Sequence, residues 1–220
     1  MNMGGITLDK KQTVSRAVVS RLPRYYRYVS ALRDNGVQRV SSRAMAESLG
    51  LTASQIRQDF NCFGGFGQQG YGYQVEKLYQ GLAEILGLNR ERTAILVGAG
   101  NLGRALLKNF DFVGSGFRML YAFDADKTVV GCAFSGVRIR DVSEMYDFVS
   151  LHKPDLAVLT LSPEAAPEIA QRLIECGIKG LWNFTGDDIA LESIDVPVEN
   201  MHFSDNLMTL CYQINHQDVE

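Results

Sequence analysis

Gly98-Ala99-Gly100-Asn101-Leu102-Gly103 stands between a short apolar run, Thr93-Ala94-Ile95-Leu96-Val97, and a helical pattern, Arg104-Ala105-Leu106-Leu107-Lys108. Three glycines at this spacing between strand and helix have separate uses. The first permits a tight turn, the second lets a pyrophosphate approach the backbone, and the third lets the helix pack closely on the strand. The N–H groups and positive dipole end of the helix then face the phosphates. The loop from Gly98 through Ala99, Gly100, Asn101 and Leu102 to Gly103 is therefore a candidate binding segment. The next strand, Arg118-Met119-Leu120-Tyr121-Ala122-Phe123, ends in Asp124, 24 residues past Gly100. An acid there accepts hydrogen bonds from the adenosine ribose and repels the extra phosphate of NADP. The pattern predicts a dinucleotide site of the NAD type. A glycine-rich turn with no ligand is the bland alternative.

The chain around this motif has 220 residues, 46% hydrophobic and 21% charged, the balance of an ordinary soluble globular protein. No apolar run approaches the length of a spanning helix and nothing resembles a signal peptide, so a cytoplasmic protein with no membrane partner is expected. The cysteines, Cys62, Cys132, Cys176 and Cys211, form no CxxC pair and read as reduced thiols; a thiol switch at Cys62 is a lesser alternative. Charge is unevenly spread. Residues 1–89 hold 11 Lys/Arg against 6 Asp/Glu, whereas residues 90–220 hold 11 against 19. Arg16, Arg21, Arg24, Arg27, Arg33, Arg39 and Arg43 are interrupted by one acid, Asp34. A basic first unit on an acidic remainder points to a polyanion as partner of the first.

Val14, Val18, Leu22, Tyr25, Val29 and Leu32 recur at helical spacing, with Pro23 either kinking one helix or opening a second. Asn35-Gly36 ends the pattern. Two short helices follow, one capped by Ser41 or Ser42 and ending at Gly50, the other capped by Thr52. This is helix-turn-helix grammar, with Ile56 as the apolar anchor of the second helix. Ser54, Gln55, Arg57 and Gln58 are expected to face outward, where they can bond bases and phosphates. Residues 62–73 hold five glycines among aromatic residues and predict a hairpin wing. Residues 75–86 are helical again, and 87–92 form the expected domain boundary.

From Thr93 onward strands and helices alternate, which predicts a parallel sheet covered by helices. The expected strands are 136–139, 155–161 and 178–184, with an extended piece at 198–202; the expected helices are 142–151, 163–176 (opened by Ser162-Pro163) and 204–215. The last helix carries an apolar stripe (Leu207, Leu210, Cys211, Ile214) after the sheet is complete, so a partner should cover it. The fold class is α/β: a winged-helix unit at 1–88, a Rossmann-type unit at 89–202, and a closing helix at 203–220. His152, His202 and His216 sit in no nucleophile or metal-ligand motif, and the first and last are expected at the surface. A DNA reader joined to a dinucleotide reader implies a ligand-gated transcription factor with no catalytic residues and no metal. A small NAD-dependent oxidoreductase and a regulator responding to coenzyme A or another nucleotide are the competing readings.

Across residues 15–215 the chain resembles the redox-sensing transcriptional repressors of the Rex family. The likeness rests on Ser42-Arg43, Gln55-Ile56-Arg57-Gln58-Asp59-Phe60, Phe63-Gly64-Gly65-Phe66-Gly67, Gly70-Tyr71-Gly72-Tyr73, Ile85-Leu86-Gly87-Leu88, the Gly98–Gly103 loop, Ala122-Phe123-Asp124-Ala125-Asp126, Gly177-Ile178-Lys179-Gly180 and Asn183-Phe184. The resemblance implies a homodimer with a domain-swapped closing helix, bound to palindromic operators in double-stranded DNA and released by NADH. It implies that Gly98, Gly100 and Gly103 hold the pyrophosphate and Asp124 the ribose. Thr160, Leu161, Asn183 and Phe184 would lie by the nicotinamide, with Phe203 approaching from the swapped segment. DNA would meet Ser41, Ser42, Arg43, Thr52, Ser54, Gln55, Arg57, Gln58 and the wing at Gln68-Gln69. Family members usually carry Lys at position 58 and a basic residue at 69; glutamines there imply weaker, less salt-sensitive binding. A linked Arg–Tyr–Asp trio in the family senses nicotinamide charge. Arg27 matches its Arg, but Asn109 stands at the Tyr position and His202 at the Asp position, which implies altered NAD/NADH discrimination unless Asp205 substitutes.

Overall fold

The computed structural model describes residues 14–68, 71–189 and 196–216. The chain divides into two compact units, Met1–Asn89 and Arg90–Glu220.

The first unit begins with helix α1 (Arg16–Asp34), whose N-terminus is capped by the Ser15 side chain. It runs through Pro23 as a single helix, so the proline costs a ladder bond without ending it. Leu22, Tyr25 and Val29 fall on one face and are buried. Strand β1 (Arg39–Val40) leads to α2 (Ser42–Leu49), where Ser41 Oγ accepts the Ala44 N–H at 3.0 Å. Gly50 closes α2 with φ +64°, a left-handed turn that admits the sharp entry to α3 (Ala53–Asn61). Thr52 Oγ1 caps α3 by accepting the Gln55 N–H at 3.1 Å. Strands β2 (Gly67–Gln68) and β3 (Gly72–Gln74) form the antiparallel wing, and β3 also pairs β1. Helix α4 (Val75–Leu86) packs on α1. Tyr25, Met45, Ile56, Phe60, Leu78 and Leu82 make the core of this winged helix, with Phe60 edge-on to Tyr25, Phe66 and Tyr73.

In the second unit β4 (Arg92–Val97), α5 (Asn101–Asn109) and β5 (Phe117–Asp124) are followed by β6 (Ala133–Phe134), β7 (Val137–Asp141), α6 (Met145–His152), β8 (Leu156–Leu159), α7 (Ala166–Glu175), β9 (Gly180–Asn183), β10 (Val198–Asn200) and α8 (Phe203–Asn215). The sheet order is β10-β9-β8-β4-β5-β7-β6, parallel except for β6. Strands β4 and β8 are neighbours although β5 and β7 lie between them in sequence, on the other side of β4. That reversal is the switch point where open α/β sheets leave a crevice. Ile95 and Val97 on one face of β4 and Leu96 on the other are fully buried, as are Ala157 and Val158 in β8, as strands covered on both faces require.

Several boundaries depart from the sequence reading. Helix α7 starts at Ala166 with Pro167 in its first turn, and residues 163–165 form a turn before it. Strand β8 stops at Leu159, which puts Thr160 and Leu161 beyond the sheet in the crevice loop. Strand β6 has no hydrophobic alternation to announce it. His152 ends α6, exposed as expected, and stacks on Phe148 at 4.3 Å. Helix α8 buries none of its side chains, and Phe203, Leu207, Met208, Leu210, Tyr212 and Ile214 are all exposed. Among the described residues no helix is long and apolar enough to cross a membrane, and no His/Cys/Asp/Glu group is arranged to hold a metal.

Candidate nucleic-acid interface and nucleotide site

On α3 the residues Ser54, Arg57 and Gln58 share one exposed face, spaced three and four apart. The Arg57 guanidinium donates to Ser42 Oγ at 3.2 Å, which ties the start of α2 to this face. Ser41 and Thr52 spend their hydroxyls on capping. Arg43 is exposed and pairs Glu47 across one turn at 3.0 Å, a solvated contact of small energy. Gln68 lies in the wing strand β2, and Gln69 lies outside the described residues.

Gln55 differs from the outward orientation expected of it. It is half-buried, and its Nε2 donates to Asp59 Oδ1 at 2.9 Å. Asp59 itself is 1% exposed. Arg21 donates to it from Nε at 2.7 Å and from Nη2 at 2.8 Å, and Tyr25 from its hydroxyl at 2.6 Å. Burial pushes the Asp59 carboxyl up, but the bonds from Arg21, Tyr25 and Gln55 outweigh it and hold the group below the usual carboxylate range. The same contact raises Arg21, while burial and then the Asp59 bond raise Tyr25. The sequence pattern does not announce this cluster, because Tyr25 and Arg21 are 34 and 38 residues from Asp59.

The glycine loop sits at the switch point of the sheet. Gly98 has φ +93°, and a Cβ there would lie 2.4 Å from the Thr160 carbonyl oxygen. A Cβ on Gly103 would lie 2.1 Å from the Gly98 carbonyl oxygen and 2.8 Å from Thr160 Oγ1. Thr160 Oγ1 donates to the Gly98 carbonyl at 2.5 Å, so the ends of β4 and β8 are bound to each other through the turn. Gly100 is another matter. Its φ is −68°, open to any residue, and a Cβ there would meet nothing within 4 Å among the described residues. No side chain caps α5, so the positive end of that helix faces the open side of the loop. Asn101 Oδ1 accepts from Arg104, and Leu102 is exposed. Asp124, at the end of β5, accepts the Ala99 N–H at 2.5 Å and the Asp126 N–H at 2.8 Å.

Asn183 is 1% exposed and fully engaged: its Nδ2 donates to the Asp187 carbonyl and to Asn200 Oδ1, and its Oδ1 accepts from the Thr185 N–H and hydroxyl. Phe184 is buried beside Trp182 at 4.6 Å, and the exposed Phe203 ring lies 6.2 Å from it.

Arg27 is exposed on α1, and Asn109 at the end of α5 donates to the Ala105 carbonyl at 2.9 Å. His202 places Nδ1 3.0 Å from the Gly186 carbonyl and Nε2 2.9 Å from Asp188 Oδ1. Both neighbours accept, so the doubly protonated ring satisfies both, and the Asp188 bond followed by the Gly186 carbonyl raises the His202 pKa. Asp205 lies in the first turn of α8, where its N–H donates to the His202 carbonyl at 3.3 Å. Nothing local in the chain announces Asp188, whose contact with His202 spans 14 residues.

A winged helix joined to a parallel sheet with a glycine turn at its switch point defines a nucleotide-responsive DNA-binding regulator. Residues 13–61 match a family model described as "Putative DNA-binding protein N-terminus", and residues 89–186 match a "CoA binding domain" model. A redox-sensing transcriptional repressor Rex of Caldicellulosiruptor saccharolyticus is 47% identical over 96% of this chain and 96% of its own length. One of Clostridium perfringens is 43% identical over 97% of this chain and 100% of its own. The repressor RSP, solved in complex with beta-NAD+ and operator DNA, superposes with a TM-score of 0.87 at 45% identity, covering 95% of this chain and 96% of that one. RSP in complex with beta-NADH gives 0.86 at 42% identity, covering 95% of this chain and 98% of that one. The chain belongs to the Rex family of redox-sensing transcriptional repressors.

Proposed function

We propose that the chain acts as a homodimer that holds a palindromic operator in double-stranded DNA and releases it when NADH occupies the two Rossmann-type units. The observation that carries the ligand half is Gly100. The fold itself requires glycine at 98 and 103, but among the described residues nothing occupies the space beside Gly100. The missing side chain there serves a ligand. The pyrophosphate would lie over the 98–103 loop and the start of α5, and the ribose hydroxyls would donate to Asp124. The nicotinamide, which supplies the redox signal, would be walled by Thr160, Leu161, Asn183, Phe184 and Phe203. On the DNA side Arg57, Gln58, Ser54 and the wing would approach the duplex, with Ser41, Ser42, Arg43 and Thr52 along the α2–α3 edge. The exposed apolar face of α8 supports a second copy as its cover. The chain senses in the cytoplasm and performs no hydride transfer.

A ligand shifts such an equilibrium only by its differential affinity for the two states. NADH must therefore favour a dimer geometry in which the two α3 helices no longer match half-sites roughly 34 Å apart. Asn109 and His202 alter how NAD and NADH are told apart, and the Asp188 carboxylate beside His202 keeps an anion at the start of α8. Calorimetric dissociation constants for both nucleotides measure that ratio; a value equal to that of a relative with Tyr and Asp at these positions refutes it. Fluorescence anisotropy on a palindromic duplex, with NADH and NAD+ titrated separately, tests the whole reading. Release by NADH at the lower concentration is expected, and equal release by both overturns it. The match of residues 89–186 to a coenzyme A-binding model favours a second reading, in which that nucleotide is the signal. Coenzyme A as a third titrant separates the two; the Asp124 charge would repel its 3′-phosphate.

A further inference from the structure

Within the DNA-binding reading, the roles of two α3 side chains can be separated by what holds them. Ser54, Arg57 and Gln58 present an exposed face, whereas Gln55 and Asp59 lie on the flank of the helix, one turn apart and bonded to each other at 2.9 Å. Asp59 is buried and gathers four hydrogen bonds: two from Arg21 and one from Tyr25, both on α1, and one from Gln55. Tyr25 is fully buried and edge-on to Phe60, so its hydroxyl reaches Asp59 from a position packing already fixes. Arg21 grips both carboxylate oxygens, a two-point contact that sets the rotation of α3 as well as its distance from α1.

We infer that Gln55 reads no base: its amide is held by Asp59, a positioning residue whose bonds to Arg21 and Tyr25 fix the rotation of α3, leaving sequence readout to the exposed face of that helix. The residue type invites the opposite assignment, because glutamine is a standard partner of adenine in the major groove. Its amide is instead turned to the Asp59 carboxylate, and reaching a base would break a charge-assisted bond and leave a buried acceptor short of a donor. Asp59 governs specificity without touching DNA. Losing the Arg21 grip would let α3 roll about its axis and smear the contacts of Arg57 and Gln58. Phosphate contacts elsewhere, which carry non-specific binding, would persist.

The test uses the full chain and a pool of duplexes randomised across a palindrome. Wild-type protein, Gln55→Ala, Asp59→Asn and Tyr25→Phe each select half-sites, and anisotropy measures affinity for the selected wild-type duplex and for a scrambled one. A base-reading glutamine contributes roughly 5- to 150-fold to discrimination. Gln55→Ala is expected to select the wild-type half-site and to bind it within about threefold of wild type. Asp59→Asn is expected to lose tenfold or more on the selected duplex, with a blurred consensus and scrambled-duplex affinity unchanged within about threefold. Should Asp59→Asn prove unfolded by circular dichroism, Tyr25→Phe, which keeps the packed ring, is expected to lower the same ratio about threefold or more. A Gln55→Ala consensus changed at one base position overturns the inference, as does an undiminished ratio in the folded variants. A wild-type chain that selects no consensus overturns the DNA-binding reading itself, and this inference with it.

Discussion

Gly100 and Gly103 are three residues apart in one loop, and alanine at each should do opposite things. At position 103 the new Cβ would lie 2.1 Å from the Gly98 carbonyl oxygen and 3.1 Å from Leu96 Cδ2. The carbonyl is held by Thr160, so α5 has to move off the strand, at a cost of about 1–3 kcal/mol as for other overpacked sites. At position 100 the backbone already has φ −68° and the Cβ enters open space. The weaker cap preference of alanine, a few tenths to about 1 kcal/mol, is offset by the entropy that glycine loses on folding. Ligand-free stability should thus stay within about 1 kcal/mol of wild type. In the proposed binding mode the methyl group would fill the approach of a pyrophosphate to the loop N–H groups. Pushing phosphate oxygens out of hydrogen-bonding range loses charge-assisted bonds of about 1.5–3 kcal/mol, or roughly 10- to 150-fold in NADH affinity. Thermal unfolding without nucleotide and calorimetry with NADH, run on Gly100→Ala and Gly103→Ala side by side, measure both quantities. Gly100→Ala binding NADH within twofold of wild type, at unchanged stability, would refute the assignment of this glycine to a ligand.

Asp59→Ala leaves the Arg21 charge without its partner and should destabilise the chain by about 3–5 kcal/mol in urea unfolding. Because the folded Asp59 pKa is lowered, its stabilisation is complete above the unfolded value of about 4 and is lost as pH falls through the folded one, so Asp59→Asn should flatten the acid limb of the stability curve. His202 behaves in the opposite sense. Its raised pKa gives stabilisation that is complete below about 6.5 and is lost as pH rises through the folded value, and Asp188→Asn should bring its NMR titration back toward about 6.5. Gln58→Lys should tighten operator binding and steepen the log–log salt slope by about 0.9 for each phosphate gained; an unchanged slope means that this side chain lies off the backbone. Leu210→Glu, on the exposed stripe of α8, should shift the chain toward monomer in light scattering and weaken operator binding with it.

Much of this architecture is written in local signals. Ser15, Ser41 and Thr52 cap α1, α2 and α3, Gly50 supplies the turn between α2 and α3, and the glycine loop marks the crossing from β4 to α5. Each is an interaction within a few residues, which a pattern of residue types can carry. The start of α7 is harder, because Ser162-Pro163 and Pro167 both offer plausible first turns and only packing chooses between them. The Asp59 cluster, the Asn183 hub and the His202–Asp188 pair were invisible for a different reason. They depend on which side chains the folded chain brings together, and an Asp on an amphipathic helix reads as a solvated charge until Arg21 and Tyr25 arrive from α1. Gln55 shows the effect on function: its residue type pointed to the groove, and a carboxylate one turn away claimed it.

Helix α8 has 13 residues and buries none of their side chains. A helix of that length is marginal by itself in water and gains most of its stability from packing. If a second copy supplies that packing, ordering the end of the chain and assembling the dimer become one equilibrium, and protein concentration enters it as a reactant. Operator occupancy would then depend on how much of the protein the cell makes as well as on its nucleotide pools. A repressor diluted below its assembly threshold by growth would relieve its targets without any change in redox state.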